Sequence, residues 1–240
     1  MSAAPTGRIA GLEYLLGRIA REHAPSALAS SLSAEDMVIT DLIFRLGLGI
    51  EVFTLDSGRL HADTLNLLGV IRERYGYAVR LLRPDSAAVA DYVTRFGRDA
   101  FYESADLRKR CCAIRKVGPL GIALEGKSSW ITGQRRSQAA TRADLPLQED
   151  DASHGITKFN PLAEWNEDEV WAYIRANEVP YNRLYDQGYR SIGCAPCTRP
   201  TVAGEDVRAG RWWWEEAGAR ECGLHFSPDG RLVRRKESVS

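Results

Sequence analysis

Apolar residues recur at two different periods along the chain, and the alternation of these periods predicts a layered fold. Near the amino terminus, Ile9, Leu12, Leu16 and Ile19 return every three or four positions, which predicts an amphipathic surface helix. Farther along, short runs rich in β-branched residues alternate with helical stretches. The predicted strands are 51–55, 78–82 and 129–132, and the predicted helices are 34–48, 61–75, 85–96, much of 104–124, and 166–177.

Two helix starts carry capping signals. Ser33 precedes the helix at 34–48, and acidic residues follow it in the first turn, where they complement the helix dipole. Asn166 and Glu169 have the spacing of a capping box. Residues 26–31 lead into a loop ahead of the first of these helices.

Strands that alternate with helices predict an α/β fold with a doubly wound, mainly parallel sheet. Ligands of such sheets bind beyond the carboxyl ends of the strands, so the segments 30–33, 56–59 and 133–137 should converge on one crevice. The later part of the chain is irregular and polar, and we interpret it as a covering arm. We therefore expect a single domain, 1–240, with a mobile tail from about 205 to 240.

Composition removes several function classes. The chain has 240 residues and a formal net charge of +0, so bulk charge does not favour a nucleic-acid partner. No apolar run approaches the length of a membrane span, and the first helix does not resemble the apolar region of a signal peptide. We expect a cytoplasmic protein without a membrane partner.

Four of the five cysteines form two close pairs. An odd total of five cysteines, without a secretion signal, argues against a disulfide framework and for a metal, cluster or catalytic role. Cys111 and Cys112 are adjacent in a predicted helix, whereas Cys194 and Cys197 lie in a loop. The pairs indicate a four-thiolate site for zinc or an iron–sulfur cluster, and buried incidental cysteines are the plain alternative.

Helix geometry favours the cluster over zinc. Adjacent helical residues point about 100° apart, which suits separate iron atoms better than one tetrahedral ion. We therefore expect a [4Fe–4S] cluster. Lys116 lies four residues after Cys112, so it shares a helix face with that cysteine. It could favour an anionic cluster and reach an anionic substrate, or be an ordinary exposed lysine.

The fifth cysteine, Cys222, has no partner in the sequence. Gly218 and Gly223 flank it, which suits a segment that moves. Arg220 and His225 could lower the pKa of its thiol and favour the nucleophilic thiolate. A tail cysteine without a role is the alternative reading.

Basic and small polar residues follow the strand ends and recur in the arm. Arginine forks match phosphate and sulfate, and a helix start offers backbone amides to an anion. A single arginine is more often a solvated surface residue, but three such loops at one sheet edge favour an anion site. Asp56 could bind a ribose hydroxyl or cap a turn. The candidate substrate-binding residues are Ser30, Ser31, Ser33, Asp56, Arg59, Gly133, Arg135, Arg136, Arg142, Arg199, Arg208 and Arg211.

Seven motifs together resemble a known family along most of the chain. They are SSLSAED at 30–36, LDSGRL at 55–60, KRCCAIRKVGPL at 109–120, WITGQRRSQ at 130–138, KFNPLAEW at 158–165, GCAPCTRP at 193–200 and ECGLH at 221–225. The chain resembles the sulfonucleotide reductases, the phosphoadenylyl-sulfate (PAPS) reductase family. The resemblance implies a sheet of the adenine nucleotide alpha hydrolase type, whose ATP-using members carry an SGGxDS loop. Residues 30–36 lack its paired glycines, which fits a site that holds sulfate.

The resemblance also implies roles for the candidate residues. Cys222 looks like the nucleophile that forms an S-sulfocysteine, with His225 stabilising its thiolate or orienting the tail and Lys116 offsetting charge on the substrate. Cys111, Cys112, Cys194 and Cys197 look like the [4Fe–4S] ligands. Family members with this set are similar to reductases of adenylyl sulfate (APS), which implies APS as substrate, thioredoxin or a glutaredoxin-like protein as reductant, and a place in sulfate assimilation and cysteine biosynthesis. A homo-oligomer is a further expectation from the family.

Three alternatives remain open at this point. A PAPS-preferring or dual-specificity reductase would need basic contacts for the extra phosphate. An ATP-dependent RNA thiolase should show SGGxDS and a basic surface, and neither is present. A non-catalytic zinc-binding module would leave Cys222 and the arginine loops unexplained.

Overall fold

Helices and strands alternate along residues 6–215, which are the residues that this computed structural model describes. The α-helices are α1 (Thr6–Glu22), α2 (Ala34–Arg45), α3 (Ala62–Tyr75), α4 (Ser86–Phe96), α5 (Ala105–Cys112), α6 (Gly118–Leu124) and α7 (Glu167–Ala176). The strands are β1 (Ser26–Ala29), β2 (Ile50–Leu55), β3 (Arg80–Leu82), β4 (Ser129–Ile131), β5 (Gln148–Asp151) and β6 (Ile156–Phe159).

The strands form one sheet in the order β3-β2-β1-β4-β6-β5. All neighbouring pairs are parallel except β5 with β6. Successive strand residues face opposite sides of the sheet. Leu28 and Val52 accordingly pack into the core with α1, α2 and α7, whereas Ala27 and Phe53 pack against α6 on the other face. The predicted doubly wound, mainly parallel sheet is confirmed.

The hairpin of β5 and β6 was missed by the hydrophobic pattern. β5 reads QEDD, a polar run that has none of the β-branched residues typical of strands. As an edge strand it pairs only with β6, and acidic side chains on an edge discourage pairing with other chains. β1 was likewise not among the predicted strands, because its sequence SALA is short and rich in alanine.

The predicted helix at 104–124 is helical but not regular. α5 runs into one π turn, Ala113–Val117, and then directly into α6. Pro119 lies in the first turn of α6 and has no N–H with which to bond the preceding turn. A π turn adds one residue to the helix without breaking it, and such turns are frequent at functional sites. The turn separates Cys112 from the residues of α6.

Capping was predicted correctly in one helix and only by position in another. Asn166 and Glu169 form the capping box of α7, with N–H to side-chain oxygen distances of 2.9 and 2.8 Å. Ser33 occupies the N-cap of α2, but its hydroxyl donates to the carboxylate of Asp36 at 3.1 Å rather than capping a backbone amide. The carboxylate of Asp36, in the first turn of α2, is thereby bonded to the loop that follows β1.

Residues from 177 to 215 are irregular, as predicted, apart from short 3₁₀ turns at Arg183–Gln187 and Ala195–Cys197. The arm is held by packing: Trp212 is 1% exposed and contacts the cysteines, so this part of the arm packs onto the domain. None of the helices within 6–215 is long and apolar enough to cross a bilayer.

Candidate active site

A cavity of about 190 Å³ opens beyond the carboxyl ends of β1, β2 and β4, where the topology places ligands. Its walls come from the loop after β1, the loop after β4, the π turn and the arm. The predicted site residues that line it are Ser30, Ser31, Ser33, Gly133, Arg142, Arg208, Arg211 and Lys116.

The loop after β1 is ordered around a buried carboxylate. Asp36 accepts the backbone N–H and the hydroxyl of Ser31, both at 2.7 Å, and the hydroxyl of Ser33 at 3.1 Å. Burial raises the pKa of Asp36 to about 6, against the opposing effect of the Ser31 hydrogen bonds. Because both hydroxyls donate to Asp36, their lone pairs remain for donors on a ligand or on water.

Gly133 lets the loop after β4 approach this carboxylate. A Cβ at Gly133 would lie 2.9 Å from the Cβ of Glu35 and 3.0 Å from the amide nitrogen of Asp36, and closer still to the Asp36 carboxylate. Only a residue without a side chain fits there. The close approach of two backbones fixes the shape of the cavity wall that both loops build.

The arm contributes Arg211, whose guanidinium is held at the border of the cavity. Its Nη1 donates to the carbonyl of Ile192 at 3.0 Å, and the group lies 4.7 Å from the ring centre of Trp212. A side chain at Gly193 would collide with this guanidinium. The Nε of Arg211 is buried without a hydrogen-bond partner among residues 6–215, which leaves a donor for an anion.

Two other predicted anion ligands are engaged with the protein rather than with the cavity. Arg135 is 2% exposed and makes a buried ion pair with Glu35 at 2.8 Å. Arg136 donates to the carbonyl of Leu145 at 2.8 Å and pairs with Glu164 at 3.3 Å. The sequence does not distinguish an arginine that faces an anionic ligand from one that faces a carboxylate distant in the chain.

Three further candidates also lie outside the lining of this cavity. Arg199 pairs with Glu205 at 2.8 Å, within the arm. Asp56 accepts the backbone N–H of Gly58 at 2.9 Å, which is the turn-capping alternative, and also pairs with Arg83. Arg59 is directed to the neighbouring cavity described below, where it pairs with Asp99.

Several residues of the first cavity were not predicted. Tyr185 accepts the backbone N–H of Ala34 at 3.0 Å, and burial raises its pKa well above the usual value. Arg190 lines the cavity and pairs with Glu167 at 2.6 Å. Gln134 and Gln138 lie within the WITGQRRSQ motif, so the motif could have indicated them, whereas Tyr185 carries no local signal.

A second, smaller cavity of about 20 Å³ is lined by all four paired cysteines. Cys111 and Cys112 end α5, and the π turn follows them at once. Cys194 and Cys197 bracket a 3₁₀ turn in which the Cys197 N–H donates to the Cys194 carbonyl at 2.9 Å. The structure therefore brings together two pairs that are more than eighty positions apart. Four cations share the lining, namely Arg59, Arg108, Arg115 and Lys116.

The thiols of this cavity are largely removed from water. Burial, together with a smaller effect of the neighbouring Cys194, raises the pKa of Cys197 to about 12, against the opposing effects of Lys116 and Arg211. Burial also raises the pKa of Cys111, against the effect of Arg115. Burial thus disfavours the thiolate forms of Cys111 and Cys197 unless a positively charged centre lies among them. Among residues 6–215, no three His, Cys, Asp or Glu side chains converge closely enough to hold a single metal ion.

Lys116 joins the two cavities, since it belongs to the lining of both. It lies in the π turn, between the cysteine pair of α5 and the start of α6. A cation in this position can interact with charge on either side. The other predicted catalytic residues, Cys222 and His225, lie outside the described residues.

Comparisons with known proteins identify the family of this chain. Residues 25–200 match the phosphoadenosine phosphosulfate reductase domain family. The adenosine 5'-phosphosulfate reductase of Allochromatium vinosum is 53% identical over 227 residues, covering 93% of this chain and 88% of that protein. The enzyme of the same name from Neisseria meningitidis serogroup A is 55% identical over 215 residues, covering 89% and 88%.

Solved structures show the same architecture. The phosphoadenylyl-sulfate (PAPS) reductase of Candida auris, a phosphate complex, has a TM-score of 0.67 at 27% identity, covering 78% of this chain and 90% of that one. The FMN adenylyltransferase of Candida glabrata has a TM-score of 0.55 at 12% identity, covering 97% and 81%, and supports the adenine nucleotide alpha hydrolase-like fold alone. On the extent of these matches, the chain belongs to the phosphoadenosine phosphosulfate reductase family.

Proposed function

We propose that this protein reduces adenylyl sulfate to sulfite and AMP, in assimilatory sulfate reduction and cysteine biosynthesis. One observation carries the proposal: the cavity that suits a nucleotide anion adjoins the four-cysteine cavity, and Lys116 lines both. The relatives at 53% and 55% identity carry the name of this activity, which supports the choice of substrate.

The four-cysteine cavity supports a [4Fe–4S] cluster as the resident cofactor. Its donor set is all thiol, and thiolates are the usual ligands of such clusters. Burial disfavours the thiolates of Cys111 and Cys197 unless a cationic group lies among them, which iron would supply. Cys111, Cys112, Cys194 and Cys197 would hold it. When bound, the cluster would supply local charge and would hold α5 and the arm together. Sulfur transfer and sulfite release do not require it to change oxidation state.

The nucleophile in this proposal is Cys222. Its thiolate attacks the sulfate sulfur of adenylyl sulfate, a sulfur–sulfur bond forms, and the bond from that sulfur to the phosphate oxygen breaks. The electron pair of the broken bond leaves with AMP. Lys116 and Arg211 lie where they can stabilise negative charge on the leaving phosphate and on the sulfate oxygens. His225 is proposed to stabilise the thiolate.

A dithiol protein completes the cycle. One thiolate of thioredoxin, or of a glutaredoxin-like protein, attacks the Cys222 sulfur, and sulfite leaves with the electron pair of the sulfur–sulfur bond. The second thiol of the reductant then displaces Cys222 and becomes half of a disulfide. The reductant thus supplies both electrons. A tail that closes for the first step and opens for the second meets the access needs of each.

The deciding experiment is sulfite release from adenylyl sulfate by anaerobically purified protein with thioredoxin, in the wild type and in Cys222→Ser. We expect sulfite from the wild type only, because serine forms no S-sulfonated intermediate, while nucleotide binding and iron content remain. Appreciable sulfite from the variant would exclude Cys222 as nucleophile. A preference for PAPS over APS would keep the chemistry and replace the proposed substrate by the alternative. A cytoplasmic location and a homo-oligomer remain predictions.

A further inference from the structure

The side-chain amide of Gln138, in the wall of the larger cavity, is held by three partners. Its Nε2 donates to the carboxylate of Glu35 at 3.0 Å. Its Oε1 accepts the backbone N–H of Arg135 at 3.1 Å and the Nη1 of Arg142 at 2.5 Å. An amide has one donor end and one acceptor end, so two donors and one carboxylate admit a single orientation of the group. The acceptor end of the amide therefore faces Arg142.

The base of this arrangement is a buried ion pair. Glu35 lies in the first turn of α2 and pairs with Arg135 at 2.8 Å, and their side chains are 8% and 3% exposed. Separating such a pair would leave an uncompensated buried charge, so the carboxylate of Glu35 is a firm anchor for the amide. Gln138 and Arg142 end two short 3₁₀ turns that follow one another in the loop after β4. Gln138 thus links Arg142 to the buried pair.

Arg142 is the member of this group that brings an ionic donor to the cavity. It lines the cavity together with Lys116 and Arg211. A guanidinium fork matches the oxygens of a phosphate or a sulfate. An arginine side chain has several rotatable bonds, and ordering them during binding reduces the affinity for the ligand. An arginine that is already held in the binding orientation avoids much of this loss.

We propose that Gln138 is a positioning residue, which holds the guanidinium of Arg142 toward an anionic group of the bound nucleotide. The inference rests on the function proposed above, because that function supplies the phosphate and the sulfate between which Arg142 can choose. Gln138 acts through Arg142. Its effect on nucleotide binding should therefore exist only while residue 142 is an arginine.

The edge strand offers a matched control. Gln148 also accepts an arginine at its Oε1, from the Nη2 of Arg18 at 3.4 Å, but this contact is exposed and belongs to the lining of neither cavity. Gln138→Ala and Gln148→Ala each remove one glutamine that contacts an arginine. Only the first of these arginines lines the cavity.

The experiment is calorimetric titration with AMP and with adenylyl sulfate, in a Cys222→Ser background that does not consume the second ligand. For Gln138→Ala we expect the Kd for adenylyl sulfate to rise about tenfold, because Arg142 must then be ordered during binding. An equal rise in the Kd for AMP assigns Arg142 to the phosphate, an unchanged Kd for AMP assigns it to the sulfate, and both support the proposal. Gln148→Ala should bind both ligands as its parent does. An unchanged Kd for adenylyl sulfate in Gln138→Ala, or an equal loss in both variants, overturns the proposal.

A double-mutant cycle separates positioning from general damage to the cavity. Arg142→Gln alone should raise the Kd for adenylyl sulfate at least as much as Gln138→Ala does. Adding Gln138→Ala to Arg142→Gln should then change the Kd by less than about twofold, because the residue through which Gln138 acts is gone. A further tenfold loss in that background overturns the proposal.

Two additions keep the test decisive. If Gln138→Ala fails to fold, Gln138→Asn keeps the amide on a side chain shorter by one methylene. A Kd for adenylyl sulfate about threefold higher in that variant supports the proposal, and an unchanged Kd refutes it. A wild type that binds both nucleotides but releases no sulfite refutes the proposed function alone, with the titrations still deciding the role of Gln138. A wild type that binds neither nucleotide refutes both.

Discussion

The two cavities that share Lys116 are built in opposite ways. In the larger cavity, which is proposed to bind the nucleotide and is called the nucleotide cavity, Asp36 already accepts three hydrogen bonds from Ser31 and Ser33. In the four-cysteine cavity the buried thiols lie beside cations and one another, and burial raises the pKa of Cys197 to about 12. The first wall is largely formed without its ligand, whereas burial in the second disfavours the thiolates of Cys111 and Cys197 until a cationic centre lies among them.

This difference follows from where each cavity lies in the fold. The nucleotide cavity lies at the carboxyl ends of hydrogen-bonded strands, so the sheet sets its geometry. The four-cysteine cavity lies between a helix and an irregular arm, and within residues 6–215 these two elements share no strand pairing that would fix their distance. We therefore expect the second cavity to depend on its cofactor far more than the first depends on its nucleotide.

The largest loss of activity should follow a substitution of one cysteine in the four-cysteine cavity. Cys194→Ser removes one thiol from the buried set, and we expect the iron and the sulfite-forming activity to be lost together. The Kd for AMP should rise by less than about tenfold, because the loops after β1 and β4 stay in place. Iron analysis, activity and calorimetric AMP titration check this. A fully active, iron-free variant would remove the cluster from the mechanism.

The second-largest loss of activity should follow a substitution of Lys116, which lines both cavities. Lys116→Gln removes one cation from both linings at nearly constant size. We expect the single-turnover rate of sulfur transfer to fall about 10²-fold to 10³-fold, as for loss of one stabilising donor in other active sites, with iron content retained. Rapid quench from adenylyl sulfate measures the rate. Iron loss in this variant would instead show that Lys116 supports the cofactor.

The free energy of unfolding at acid pH should depend on the buried carboxylate of Asp36. Because burial raises the pKa of Asp36 from 3.8 to about 6, folding favours its protonated form. The stability that this form contributes is complete below pH 3.8 and disappears as the pH rises through about 6. Asp36→Asn should abolish this trend, so the difference in free energy of unfolding between variant and wild type should change across that interval by at most about 3 kcal/mol. Chemical denaturation at several pH values measures it; a constant difference contradicts the assignment.

A smaller effect, on stability and AMP binding, is expected from adding a methyl group to the wall of the nucleotide cavity alone. Gly133→Ala places a methyl group against Glu35 and Asp36, which should cost about 1–3 kcal/mol of stability and weaken AMP binding while leaving iron unchanged. Gly69→Ala, on the exposed face of α3 with open space around it, is the control and should stabilise the fold by about 0.5–1 kcal/mol. Equal effects of the two substitutions would contradict the close approach at Gly133.

Much of the fold could be predicted from local pattern, and less of the site. The alternation of periods gave the parallel sheet, and the topology then placed Ser30 and Gly133 at one cavity without any contact being known. The pairing of Arg135 with Glu35, one hundred positions away, has no local signal. Tyr185 was missed for the same reason. The cysteine pairs were recognisable because their chemistry is specific. Lys116 was predicted beside them, whereas Arg108 and Arg115 were not among the candidate residues.

The π turn at 113–117 has a consequence for anyone who aligns or transplants this segment. One surplus residue rotates everything before the turn by about a third of a revolution relative to everything after it. Deletion of one residue from 113–117 would leave a regular helix. The two thiols and the apolar side of α6 could then no longer face their respective neighbours at the same time. The rotation of α5 relative to α6 about the helix axis is thus encoded in this stretch of sequence, in addition to the identities of its residues.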